Sequence, residues 1–330
     1  MRIAIVRLSA LGDIIQTSIV LQFIREKYQN ATIDWFVDSR FESLLQENEE
    51  LTNVISINLK KYNFYNFIFE IPKLFLTLRK LERYDAVIDF QGLIKSSIIS
   101  KFLPATERYG FDWSSSKESI CSVFYSKKVH INYSENVLKR YITLINKSLN
   151  LRISVNDIHN KRPLFKIEKN FKKNKTKKIV IVLGASFQSK IYSVENFAKV
   201  AQNINAQFIG IWGNSKEKNL AKKLNLLSPN VDVSKRLNFK ELIELISESD
   251  LVIGGDTGPT HLAWGLNIPS ITIFGPTAAQ RNFFQTKINR FVHSFEIVDL
   301  NKINKHESSI NDISHSEIVK ISNTLLELKR

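Results

Sequence analysis

Apolar and polar positions along the chain follow two rhythms. Short runs dominated by Ile and Val (IAIVRL, TIDWFV, VISINL and YDAVIDF) are separated by stretches with apolar residues at helical spacing, one from about Asp13 to Lys27 and another from about Leu93. Continuous β-branched runs read as buried strands, and their alternation with helices predicts a parallel sheet covered by helices. After residue 150 the segment DIHNKRPLFKIEKNFKKNKTKK is rich in Lys and Asn with little periodicity, which predicts a domain boundary. The alternation then resumes with KIVIVLG, a helix from about Val194, QFIGIWG, a helix from about Lys216, a helix over FKELIELISES, DLVIGG, a helix from Thr257 and SITIFG. Two doubly wound α/β domains in tandem are predicted, over residues 1–162 and 163–311. The stretch HSEIVKISNTLLELK predicts a terminal helix within 312–330, expected to pack back on the first domain.

Composition narrows the classes. With 330 residues, 43% hydrophobic and 24% charged, the chain excludes a disordered tail, a collagen-like repeat and a disulfide scaffold. Its single cysteine, Cys121, can build neither an intramolecular disulfide nor a thiolate metal site, which fits a reducing cytoplasm. The amino-terminal MRIAIVRLSALGD reads as a strand rather than a signal, because Arg7 and Asp13 interrupt the apolar run. No stretch approaches the roughly 20 apolar residues that span a bilayer. The net charge of +15 points to anionic partners, leaving nucleic acid, acidic lipid and phosphorylated small molecules open.

Neither a GxGxxG nor a GxxxxGK[ST] motif is present. Open α/β sheets nevertheless collect ligands beyond the carboxyl ends of their strands, so the expected site is a cleft between the two domains. In GGDTGPTHLAWG, Asp256 is placed to cap a helix, Gly258 allows close backbone approach, and the N–H groups of Thr257 and Gly258 suit a diphosphate. His261 lies one turn further on. The alternative is that Asp256 is only a cap and His261 only a satisfied helix residue. In GASFQSKIYS, Ser186 and Lys190 offer a hydroxyl and an ammonium to the same anion, and in IGIWGNSKE, Glu217 offers a carboxylate to ribose hydroxyls. Together these fit a nucleotide diphosphate better than nucleic acid.

In the first half Asp13 opens a helix after Gly12, where a carboxylate faces the expected cleft. Its alternative is a helix acid favoured by the dipole. Basic and aromatic residues concentrate here: Lys60, Lys61, NFYNFIFEIPKLFLTLRK, Lys95, Lys117, Lys127, Lys128, Lys139 and Arg140. Such a mixture suits an acidic lipid surface, or a core helix with solvated lysines. No nucleic-acid recognition motif accompanies it.

The segments MRIAIVRLSALGDIIQT, YDAVIDFQGLIKSS, GFDWSSSKESICSVFYSKKVHI and DTGPTHLAWGLNIPSITIFGPT, in this order over nearly the whole chain, resemble the lipopolysaccharide heptosyltransferases, with DFQGLIKS and GFDW closest to the type I branch. The resemblance implies a GT-B fold, with an amino-terminal acceptor domain and a carboxy-terminal donor domain, and an inverting transfer of heptose from ADP-heptose to the first Kdo of Kdo2-lipid A. It implies an enzyme peripheral on the cytoplasmic face of the inner membrane and needing no metal or other cofactor. Carried over residue by residue, it makes Asp13 the catalytic base. It gives Ser186, Lys190, Thr257 and Gly258 the diphosphate, Asp256 and His261 the heptose and phosphates, Glu217 the ribose and Leu237 the adenine. Lys60, Lys61, Lys95, Lys117 and Arg140 would meet the anionic acceptor. The chain departs from the family in Ser186-Phe187, where relatives show two adjacent hydroxyl residues, and in KKYNFYNF, where relatives carry an arginine-rich run. A transferase adding a later inner-core heptose, or a non-catalytic basic protein binding nucleic acid or lipid, are the competing readings.

Overall fold

The computed structural model describes residues 1–58, 64–166, 176–294 and 304–328, with the side chains of 64–70 outside the description. The chain divides into two compact units, Met1–Leu164 and Phe165–Arg330.

The first unit is built on a six-stranded sheet: β1 (Arg2–Val6), β2 (Thr32–Asp38), β3 (Asn53–Ile57), β4 (Tyr84–Asp89), β5 (Ala105–Phe111) and β6 (Lys127–Val129). All its pairings are parallel, in the order β3-β2-β1-β4-β5-β6. The central strands are mainly apolar because helices cover both faces; Ile3, Ala4, Ile5 and Val6 are fully buried. Val6 lies in register with Asp89.

The second unit repeats the plan with β7 (Lys178–Val182), β8 (Gln207–Ile211), β9 (Val231–Val233), β10 (Leu251–Gly255), β11 (Ser270–Phe274) and β12 (Asn289–His293). Its order is β12-β11-β10-β7-β8-β9, the same winding as the first sheet. Both sheets therefore have the doubly wound dinucleotide-fold order, which reverses direction between β1 and β4 in one unit and between β7 and β10 in the other. Loops leaving these strand pairs diverge to opposite faces and open a crevice at the carboxyl edge, the place such sheets bind ligands.

One expectation is corrected. The terminal helix His315–Glu327 belongs to the second unit, where Ile318 and Leu325 join the core beside Val200, Ile271 and Ile273. Its apolar stripe is matched by the helix Val194–Gln202 and by β10 to β12, against which it packs. Among the described residues no helix is long and apolar enough to cross a membrane.

Candidate active site

At the switch point of the first sheet, β1 hands the chain to the helix Leu11–Ser18, with Asp13 at its third position. One carboxylate oxygen of Asp13, Oδ2, accepts from Nη2 of Arg7 at 2.7 Å and from the Ala10 amide at 3.3 Å. The amide bond is half of a capping box, since the alanine at the cap has no side-chain acceptor to return it. Arg7 is itself buried, donates from Nη1 to the Phe90 carbonyl at 2.8 Å and faces the Tyr141 ring at 5.4 Å. Burial opposes its charge, but Asp13, Tyr141 and Asp89 outweigh that and hold the guanidinium above its ordinary pKa.

The loop before Asp13 is fixed from β4. Gln91 Oε1 accepts from the Leu8 and Ser9 amides at 2.7 and 3.3 Å. Asp89 in turn accepts from the Gln91 and Gly92 amides through Oδ1 and from the Tyr125 hydroxyl through Oδ2 at 2.7 Å. Burial pushes the Asp89 carboxyl above its usual range, and these three hydrogen bonds, with one from Ser96, pull partly against it.

At the second switch point β7 leads to the 3-10 turn Gln188–Lys190, and β10 to the helix Gly258–Gly265. Lys190 Nζ meets Asp256 Oδ2 at 2.7 Å and the Asp256 carbonyl at 3.3 Å, while His261 Nε2 lies 3.0 Å from Oδ1. The group is nearly buried, with the Lys190 and Asp256 side chains 11% and 8% exposed. Burial would raise the Asp256 carboxyl, but Lys190 and His261 prevail and hold it well below the ordinary carboxylate range. Two glycines permit this. A Cβ on Gly255 would stand 2.3 Å from the Lys190 carbonyl oxygen, and one on Gly184 would stand 2.4 Å from the Glu217 carboxyl carbon.

The expectations for single residues now have places. Asp256 is not the helix cap: Thr257 holds that position and the Asp256 side chain is turned to Lys190 and His261, because a buried carboxylate gains more from two cationic or donor partners than from one amide. Thr257 and Gly258 open the helix, and the Thr257 hydroxyl is buried without a partner among the described residues. Glu217 accepts from the Gly213 amide and the Asn214 side chain, both at 2.6 Å, and its carboxyl packs on Gly184 at the carboxyl end of β7. Ser186 is exposed in the loop before Lys190, and Leu237 is half-buried after β9.

Of the residues expected to meet an acceptor, Lys95 is half-buried in the first turn of the helix Ile94–Phe102 and Lys117 is exposed, whereas Lys60 and Lys61 lie outside the described residues. Arg140 is corrected. It is 4% exposed and its guanidinium donates to the carbonyls of Ile131, Asn132 and Ser115 between 2.6 and 3.2 Å, with Phe111 and Tyr133 rings beside it. It ties loops together instead of presenting charge to a ligand. Arg7, Asp89, Gln91, Tyr125 and Tyr141 were not anticipated. The available signals were an arginine inside the apolar run IAIVRL and an aspartate at the end of YDAVIDF.

Among the described residues no cluster of three or more His, Cys, Asp or Glu is arranged to hold a metal ion. The model of glycosyltransferase family 9 (heptosyltransferase) matches residues 71–306. The chain belongs to this glycosyltransferase family. Lipopolysaccharide heptosyltransferase 1 of Campylobacter coli is 38% identical over 341 residues, spanning 97% of this chain and 98% of that protein. Among solved structures, the Escherichia coli heptosyltransferase WaaC with ADP superposes with a TM-score of 0.78 at 21% identity, covering 98% of this chain and 100% of that one. The same heptosyltransferase with ADP-2-deoxy-2-fluoro heptose gives 0.77 at 20%, over 98% and 99% of the two chains. The glycosyltransferase of family 9 described here therefore carries the GT-B fold as two Rossmann-like units.

Proposed function

We propose that this glycosyltransferase moves L-glycero-D-manno-heptose from ADP-heptose to the first Kdo of Kdo2-lipid A in building the lipopolysaccharide inner core, with inversion at the anomeric carbon. The observation that carries the donor half is the Lys190–Asp256–His261 group at the carboxyl edge of β7 and β10, beside the amino end of the helix Gly258–Gly265. A fixed ammonium and the positive amino end of the helix favour a diphosphate, and they stabilise the negative charge that grows on it as the glycosidic bond breaks. This requires no metal. Asp256 and His261 then meet the heptose and phosphates, Glu217 the ribose, Leu237 the adenine, and Ser186 a phosphate oxygen. The similarity to the Campylobacter coli lipopolysaccharide heptosyltransferase and to the Escherichia coli heptosyltransferase that holds ADP supports the same reading.

In the acceptor half Asp13 serves as the general base. The Kdo hydroxyl oxygen forms a bond to the anomeric carbon while the bond to the diphosphate breaks; the hydroxyl proton passes to Asp13 and ADP leaves with the bonding electrons. One such step inverts the centre. Lys95 and Lys117, with Lys60 and Lys61, meet the anionic acceptor. The protein works at the inner-leaflet surface of the cytoplasmic membrane, a placement supported by Trp113, Ile120 and Val123, each more than half exposed, near Lys117, Lys127 and Lys128 in the chain. Ile120 and Val123 are three residues apart on the 3-10 turn Ser119–Phe124, so they stack on one side of it.

The test is ADP release from ADP-heptose with and without Kdo2-lipid A, with product mass and with Asp13→Asn alongside. Release that depends on Kdo2-lipid A, adds one heptose and is lost in the variant is expected. Transfer only to an already heptosylated core would move the enzyme to a later step, and a failure to bind ADP-heptose would sink the donor reading.

A further inference from the structure

We propose that Arg7 is the positioning residue of the catalytic base and that Oδ1 of Asp13 is the oxygen that takes the acceptor's proton. The inference rests on the reading of Asp13 as the base.

The two oxygens of Asp13 are not equivalent. Oδ2 is occupied twice, by the Arg7 guanidinium at 2.7 Å and the Ala10 amide at 3.3 Å. Oδ1 meets, among the described residues, the Tyr141 hydroxyl at 3.4 Å, well beyond the 2.5–3.0 Å of an ordinary O–H···O bond. Its lone pairs are therefore the ones available to an incoming hydroxyl. The Asp13 side chain is 40% exposed, so a ligand can reach it, while the Arg7 side chain at 8% is closed off behind it.

Arginine suits the place better than lysine. A planar guanidinium makes two bonds from fixed directions, and here Arg7, itself just past β1, binds the Phe90 carbonyl just past β4 through Nη1 and Asp13 in the following helix through Nη2. The base is thus clamped to both strands of the switch point, and rotation of its carboxylate, which would exchange the oxygens, breaks the Arg7 contact. Gln91 secures the intervening loop through the Leu8 and Ser9 amides. Arg7 does not lose its proton at accessible pH, so it orients the base without passing the proton itself. Misplacement of a catalytic group by about 1 Å is enough to cost on the order of 100-fold in rate.

The experiment measures kcat and KM for ADP release in Arg7→Met, Arg7→Ala and Asp13→Asn, with ADP-heptose binding followed separately by calorimetry and folding by circular dichroism. In Arg7→Met we expect kcat to fall about 100-fold while the ADP-heptose Kd stays within twofold. Millimolar guanidinium should restore at least tenfold of the lost rate in Arg7→Ala, a response that a purely structural arginine does not give. A folded Arg7→Met with kcat within threefold of the parent overturns the positioning role. Should Asp13→Asn itself retain turnover, the base reading fails first and takes the inference with it. A crystal structure of the unaltered protein with ADP and a Kdo-bearing acceptor analogue decides the oxygen without any variant: the Kdo hydroxyl within about 3 Å of Oδ1 supports the assignment, and the same hydroxyl on Oδ2 overturns it.

Discussion

Lys190 and Asp256 form a nearly buried ion pair, Nζ to Oδ2 at 2.7 Å, although 66 residues separate them. They meet because β7 and β10 are neighbours at the point where the second sheet reverses its winding. Removing one partner of a buried pair leaves a desolvated charge and costs about 3 kcal/mol or more. Lys190→Met should therefore destabilise the protein by about 3 kcal/mol at pH 7, besides weakening ADP-heptose binding. The Asp256 carboxyl is held below its ordinary range, so its stabilising share is complete above the unfolded carboxylate's pKa and is lost as pH falls through the folded one. The stability gap between parent and Lys190→Met, measured by urea unfolding, should consequently shrink in acid. A gap that is constant from pH 7 to 3 would mean that the pair contributes little.

Arg140 supports loops rather than ligands. Its three carbonyl acceptors lie on segments 115 and 131–132, which otherwise have no common strand. Arg140→Lys keeps the charge but loses the fork, and should cost about 1–3 kcal/mol of stability, with acceptor KM changed less than threefold in the folded enzyme. Thermal unfolding and acceptor kinetics check this together; a tenfold rise in KM without loss of stability would return Arg140 to the acceptor site.

How far the fold was legible follows from burial. The strands β1, β2, β4, β7, β10 and β11 are largely buried and read as mainly apolar runs, broken inside by Asp34 in β2 and Asp85 in β4. β5 carries Glu107 and Arg108, while β6 and β9 are only three residues long, so polarity and shortness hide them from a periodicity argument. Lys190, Asp256 and His261 could be singled out because glycine-bearing strand ends mark candidate ligand loops, but their meeting in one buried group could not be read from the sequence. Tyr125 and Tyr141 were not legible, since their partners lie far along the chain: Tyr141 is 128 residues from Asp13 and Tyr125 is 36 from Asp89. Arg140 was misjudged because a sequence lists cations without saying which are turned inward. The terminal helix shows the same limit, as its apolar stripe has no address until the second core is assembled.

Lys161 carries a pH signature. It is 6% exposed, and burial pushes its ammonium down to about 7. Between about pH 7 and the ordinary lysine range the unfolded chain binds a proton that the folded chain does not, so this residue makes stability rise with pH across that window. Lys161→Met should raise stability by roughly 1 kcal/mol or more at pH 7 and by progressively less towards pH 10. Chemical unfolding of both proteins at pH 7, 8.5 and 10 tests the slope; a gain that does not depend on pH would assign the effect to packing.

Two glycines separate close approach from flexibility. At Gly184 a new Cβ would meet the end of the Glu217 side chain, which can turn away, whereas at Gly255 it would meet the backbone oxygen of Lys190 at 2.3 Å, which cannot move without its turn. Gly184→Ala should thus leave stability within about 1 kcal/mol yet displace the carboxylate read as the ribose contact, raising the ADP-heptose Kd at least tenfold while leaving inorganic diphosphate binding unchanged. Gly255→Ala should lift the turn bearing Lys190, costing about 1–3 kcal/mol as overpacking does and weakening ADP-heptose and diphosphate alike. Calorimetry with both ligands resolves the two patterns. If Gly184→Ala binds ADP-heptose as the parent does, Glu217 has no part in holding the ribose, and the carboxylate serves only the turn whose Gly213 amide it accepts.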